Sequence, residues 1–240
     1  MKEILSEAIT FSLKNVSNFE FKDRDEKQVY SVAIYCSIIE LAQSFFTLID
    51  TRNSTGSLSI YRTFLENYID LKNLKLHESY ENELAFQNLV SMKESLEAAK
   101  KGNVFLTPLK KHAKEKLPEL RADIKRLKTI DDKPLSIFKK FKLAGMTSEY
   151  LGFYPKLCAE AHSSVSAILD RHIEVNKIND SLDISIFKEK PEDEYYYYLC
   201  NMAQHLLDAG VILCQILADE RINQFVEQRD LVKVKVEKYT

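Results

Sequence analysis

The stretch Ser59–Leu74, SIYRTFLENYIDLKNL, constrains the chain more than any other. Advanced by about 100° per residue, it is helical by period. Arg62, Glu66, Asp70 and Asn73 then fall in one narrow polar stripe. Ile60, Tyr61, Phe64, Tyr68, Leu71 and Leu74 cover most of the other side. A helix wrapped so widely in aromatics and aliphatics belongs at the centre of a core. Its charged stripe is then either solvated or buried and paired. Arg62 and Glu66 stand at i,i+4 in the order that is weaker for a surface pair. Solvated, such a pair contributes roughly a few tenths of a kcal/mol. Buried or lining a cleft, it forms an anion site, and losing one partner strands a charge at a cost of about 3–5 kcal/mol. Both readings are open at this level.

The chain around this stretch reads as helices. Five Gly and five Pro in 240 residues leave few turns of the kind a sheet requires. Residues 2–18 form a first amphipathic helix. Asp25-x-x-Gln28 has capping-box spacing and opens a second helix to about Asp50, stopped by the turn Thr51–Gly56. Ser54, Thr55 or Ser57 caps the organising helix, which pairs with its predecessor as an antiparallel hairpin. A fourth helix spans about Tyr80–Lys101, and Thr107-Pro108 restarts another, in which Pro118 predicts a break or kink before a second piece to about Thr129. After a turn at Asp131–Pro134, one helix is expected from Ser148 or Pro155 to Asn176, and Asp180–Lys190 is a loop or short extended excursion. Pro191 opens a last long helix to about Gln228. Leu231–Val236 alternates strictly and predicts a strand or an extended arm. The expected fold is all-α, a single helical-bundle domain of seven to nine helices over 1–228 with a central antiparallel helix hairpin and a short extended tail over 229–240.

Function classes narrow by what the motifs allow. Cys36, Cys158, Cys200 and Cys214 are scattered through helical patterns without a C-x-x-C pair, so reduced buried thiols are expected, with no metal and no cofactor. The start MKEILSEAITFSLKN is amphipathic and acidic, unlike a signal peptide. The apolar window Leu199–Ala218 carries Asn201, Gln204, His205, Asp208 and Gln215, which argues against a membrane span, and the scattered reduced thiols are those expected of a cytoplasmic protein. No glycine-rich phosphate loop, H-E-x-x-H or G-x-S-x-G motif occurs.

Three stretches remain as candidates. In Tyr150–Ile173 a helical projection puts His162 on the apolar arc with Tyr154, two turns earlier. That predicts an inward-facing imidazole, either a hydrogen-bonded core histidine or a proton-transfer group. Residues 98–142 carry fourteen Lys or Arg against five Asp or Glu, a net charge of +9 in a chain of net −2. Lys110, Lys114, Arg121, Lys125 and Lys128 share one face of the ideal helix, with Lys111 beside them. Such a surface suits RNA or an acidic protein partner, or else it packs near the acidic remainder of the same molecule. Tyr195–Tyr198 points all round a helix, so at least one tyrosine is expected at the surface, where it and the tail would serve a partner or a homodimer.

With Arg62-x-x-x-Glu66 followed by Tyr154 and His162-Ser163, the chain resembles a bacterial helical family described as domain of unknown function 5677, over roughly Asp25–His172. The resemblance implies an all-α fold in which Arg62, Glu66, Tyr154 and His162 converge, and it implies no known reaction. A looser likeness is to HEPN helical ribonucleases of toxin and antiviral systems, whose signature places His four to six residues after Arg on one helix. Here Arg171 and His172 are adjacent, so their arrangement is not reproduced. Two functions follow. One is a binding or assembly module, by analogy in a stress or antiphage setting. The other is a metal-independent ribonuclease in which His162 transfers protons, Arg62 stabilises the phosphorane and Glu66 orients Arg62.

Overall fold

A computed structural model describes all residues except 52, 54, 128, 177, 179, 189, 190 and 238–240. The described residues form eleven α-helices: α1 (Lys2–Val16), α2 (Glu26–Asp50), α3 (Ser57–Leu76), α4 (Tyr80–Lys100), α5 (Lys110–Arg126), α6 (Ile137–Leu143), α7 (Thr147–Gly152), α8 (Tyr154–Ala161), α9 (Val165–His172), α10 (Glu192–Leu217) and α11 (Ile222–Glu237). A 3₁₀ turn, Val104–Leu109, joins α4 to α5, and the strands β1 (Ile173–Val175) and β2 (Leu182–Ile184) form an antiparallel hairpin after α9.

The all-α class and the central hairpin are as expected. α2 and α3 pack along their lengths, and Tyr61, Phe64, Leu65, Tyr68, Ile69, Leu71 and Leu74 of α3 are buried. Asp25 caps α2 by accepting the Gln28 backbone N–H at 3.1 Å. Gln28 completes the motif differently, accepting from the Lys22 backbone N–H at 2.9 Å. α2 is long and apolar enough to cross a membrane by length and composition. Here its Tyr35, Ile38, Ala42 and Phe45 are buried in the core it shares with α1, α3 and α10. α10 is as central as α3, packing on α1, α2, α3 and α11 through Met202, Ala203, Leu206, Leu207 and Leu213. At Gly210 the approach of α11 is so close that an added Cβ would overlap the Phe225 ring.

Several expected boundaries are corrected. α3 starts after Gly56 at φ +85° without a side-chain cap, so neither Thr55 nor Ser57 caps it, and Ser54 lies outside the described residues. α5 runs unbroken through Pro118. That proline lies on the exposed side, so the Lys114 carbonyl it leaves without a donor faces water, while Ala113, Leu117 and Leu120 hold the other side on α4. The helix expected from Ser148 or Pro155 to Asn176 is three short helices and a strand. Pro155 lies in the first turn of α8, Ser163 turns the chain at φ +49°, and Ser164 caps α9 by accepting the Ala167 N–H. The last long helix ends at Ala218, which has φ +54°. Arg221 fixes the turn there by donating to the Asn15 and Asn18 carbonyls at 3.0 and 2.9 Å while lying over Phe19. The alternating tail is not extended: residues 231–237 belong to α11. Phe225, Val232 and Val236 recur at helical spacing and face the core, which overrides the two-residue alternation. Tyr197 is the tyrosine of the 195–198 run that reaches the surface, with Tyr195 and Tyr198 buried.

Candidate functional site

The polar stripe of α3 is half-buried and paired. Its first turn meets Tyr154 at the start of α8. The Tyr154 hydroxyl donates to the Glu66 carboxylate and accepts from Arg62 Nε at 3.1 Å. Arg62 Nε lies 3.0 Å from Glu66 Oε1, and the guanidinium carbon sits 5.5 Å from the centre of the Tyr154 ring. Phe141 and Tyr150 hold that ring in place, at centroid distances of 4.9 and 5.3 Å. Burial raises the Tyr154 phenol well above its ordinary pKa, its hydrogen bond to Glu66 adds to this, and Arg62 opposes it. Burial alone would lower Arg62, but Tyr154 and Glu66 outweigh it and raise the guanidinium. At neutral pH Tyr154 is therefore a donor, Arg62 a cation, and neither serves as a base.

One turn on, Asp70 accepts from the Tyr80 hydroxyl at 2.7 Å and pairs with Lys140 Nζ at 3.0 Å. Asn73 donates to the Lys140 carbonyl at 3.0 Å, tying α3 to α6. Burial raises the Asp70 carboxyl, with Lys140 and Tyr80 pulling it back. Arg62, Glu66, Asn67, Asp70, Gln87 and Lys140 line a polar cleft of about 250 Å³. Among the described residues the hydrogen bonds of Arg62 run through Nε. The fork of its terminal nitrogens has the geometry that takes a carboxylate or phosphate.

Arg62, Glu66 and Tyr154 are thus brought together as expected, and His162 is not. His162 is exposed at the C-terminal end of α8, because the chain turns at Ser163 instead of continuing the helix that would bury it. It stands eight residues from Tyr154, about 12 Å along the helix axis. In the sequence Lys140 is one member of the basic segment, and no local pattern marks Tyr80 or Gln87 for a site. Asp70 was visible on the stripe, but its partner lies seventy positions away and carries no local signal.

The basic segment divides. Lys140 is buried on Asp70, Lys139 pairs with Asp131, Arg126 with Asp123, and Arg121 with Glu97 at 2.9 Å. Part of the charge imbalance is therefore neutralised within the molecule. Lys110, Lys111, Lys114 and Lys125 are exposed on α5 with no ion pair among the described residues, and Lys128 lies outside them. α5 is amphipathic, and its principal packing partners are α4 and the 3₁₀ turn, through a small cluster of Leu96, Ala113, Leu117 and Leu120 separate from the main core. The α4–α5 pair is an arm, about 25 Å long by the rise of α5.

A family model described as "Family of unknown function (DUF5677)" matches residues 28–181, more than half of the chain. No curated protein and no solved structure matches it.

Proposed function

For this chain, which belongs to the family of unknown function DUF5677, we propose a binding role: a rigid helical bundle that engages single-stranded RNA through its α4–α5 arm. One observation carries the reading. α5 spends its apolar stripe on α4 and leaves Lys110, Lys111, Lys114 and Lys125 exposed without internal carboxylate partners. Charges already paired would gain little from a phosphate, whereas unpaired lysines release counterions on binding. At the tip, Phe105 is 90% exposed, an aromatic face free to stack on a base. The cleavage alternative is less favoured. It needs a proton-transfer group beside Arg62, and His162 stands at the far end of α8 from Tyr154.

The test is fluorescence anisotropy with a labelled RNA of about 20 nucleotides over a salt series. Lys110→Gln, Lys114→Gln and Lys125→Gln combined should weaken binding for all sequences and reduce the slope of log K against log[salt] by about 2, at roughly 0.7 per phosphate contact. Phe105→Ala should weaken binding with little change in slope. Wild type that fails to bind RNA at low salt, or a triple variant that binds like wild type, refutes the role.

A further inference from the structure

The segment 165–187 carries apolar side chains that no described residue covers. Leu182 and Ile184 of β2, and Ile186 two residues past its end, are 68%, 83% and 72% exposed. Val175 stands opposite Leu182 and Ile173 opposite Ile184, so these side chains share one face of the hairpin, while Glu174 and Asp183 share the other. Val165, Ile168 and Leu169 on α9 are exposed as well, as are Ile178 and Phe187. At about 150–200 Å² for a fully exposed large side chain, Val175, Leu182, Ile184 and Ile186 present on the order of 500 Å², and the other exposed residues of the segment roughly as much again. The largest patch on a typical monomer is ~300–600 Å², and each partner of a standard interface buries ~800 Å².

The backbone is as incomplete as the face. Asn176 donates to the Ser181 carbonyl at 2.8 Å, and Ser185 donates to that of His172 at 2.9 Å. In an antiparallel ladder these bonds fix the parity: 172, 174 and 176 bond to 185, 183 and 181. The backbone groups of Leu182 and Ile184 therefore point away from β1, along an open edge. β1 is the principal packing partner of β2 among the described residues. Two strands alone are marginally stable in water, and a flat apolar edge is a template for another strand.

We propose that this edge pairs with the same edge of a second copy of the chain, β2 against β2 about a two-fold axis at Ile184, giving a four-stranded antiparallel sheet. The register follows from the sequence Leu182-Asp183-Ile184-Ser185-Ile186. With Ile184 opposite Ile184, Leu182 faces Ile186 twice, and Asp183 faces the Ser185 hydroxyl of the second copy. An axis at Asp183 would set two carboxylates against each other, which is destabilising. An axis at Ser185 would leave Leu182 without an apolar partner. The Ile184 register alone matches all three apolar residues and every outward backbone group. It also doubles the apolar face of the hairpin within one isologous interface. This association is independent of RNA binding, which uses the α4–α5 arm.

Light scattering on a sizing column at 1–100 μM tests it. Wild type should run at twice the 27.8 kDa of the chain. Ile184→Asp should shift the dissociation constant at least tenfold towards monomer, with unchanged circular dichroism because that side chain touches no core. Ile184→Cys should form a disulfide-linked dimer under mild oxidation when wild type treated alike does not. A wild type that stays monomeric at 100 μM, an Ile184→Asp protein that dimerises as before, or cross-linking through Asp183→Cys and not Ile184→Cys would overturn the proposal.

Discussion

Replacing Tyr154 by Phe removes one oxygen and little else, and it isolates the bonds that join α8 to α3. That oxygen donates to Glu66 and accepts from Arg62. The ring stays wedged between Phe141 and Tyr150, so no cavity opens. Hydrogen bonds to charged groups each contribute about 1.5–3 kcal/mol. Two considerations reduce that sum here. Arg62 and Glu66 are 23% and 31% exposed, so water replaces part of what is lost, and they remain paired with each other at 3.0 Å. The expected cost is about 1–2 kcal/mol, which for a chain of this size lowers the melting temperature by roughly 2–8 °C. Urea denaturation followed by far-ultraviolet circular dichroism measures it. A cycle with Glu66→Gln should give a coupling above about 0.5 kcal/mol. Identical urea midpoints for Tyr154→Phe and wild type would show that the hydroxyl does not tie the helices together, and the account of the stripe as a latch would fail.

Gly210→Ala tests the α10–α11 contact. Ala is worth up to about 1 kcal/mol over Gly in a helix. Here the new methyl meets the buried Phe225 ring, itself enclosed by Phe11, Phe19 and Tyr35, and overpacking costs about 1–3 kcal/mol. The variant should be net destabilised in thermal melts, and a raised melting temperature would contradict the close approach. His205 gives a pH dependence. Burial lowers its pKa from 6.5 to about 4, its ring stacks on Tyr68, and Nδ1 has no partner among the described residues. The unfolded chain takes up the proton first, so stability present above pH 6.5 is lost as pH falls towards 4, by roughly 2–3 kcal/mol. His205→Phe should remove that component from urea titrations at pH 7 and 4.5, and an unchanged pH slope would refute the burial argument.

The stripe Arg62, Glu66, Asp70 and Asn73 was legible because a helix projects its own faces, and the width of the apolar arc announced that α3 is central. Helical projection set Tyr154 on one arc with His162, and the family resemblance alone joined it to Arg62 and Glu66. Neither route reveals Lys140, since a cation seventy residues from Asp70 looks like any other member of a basic run. Local chemistry also misplaced His162: periodicity carried the helix across Ser163-Ser164, and a serine cap has no strong signature in a run of small residues. The tail shows the reverse failure. Val232, Val234 and Val236 alternate as a strand would, but Val232 and Val236 are also spaced i,i+4, and packing chose the helix.

The match to the family covers 28–181, yet the core does not stop there. α10 fills the space beside α2 and α3, α1 closes another side, and Arg221 links the turn before α11 back to Asn15 and Asn18. The residues that the family model matches are therefore fewer than those that share one core. Residues 28–181 alone would lack α1, α10 and α11 and would bare the apolar sides of α2 and α3 that those helices cover, so the matched stretch needs its flanks to fold.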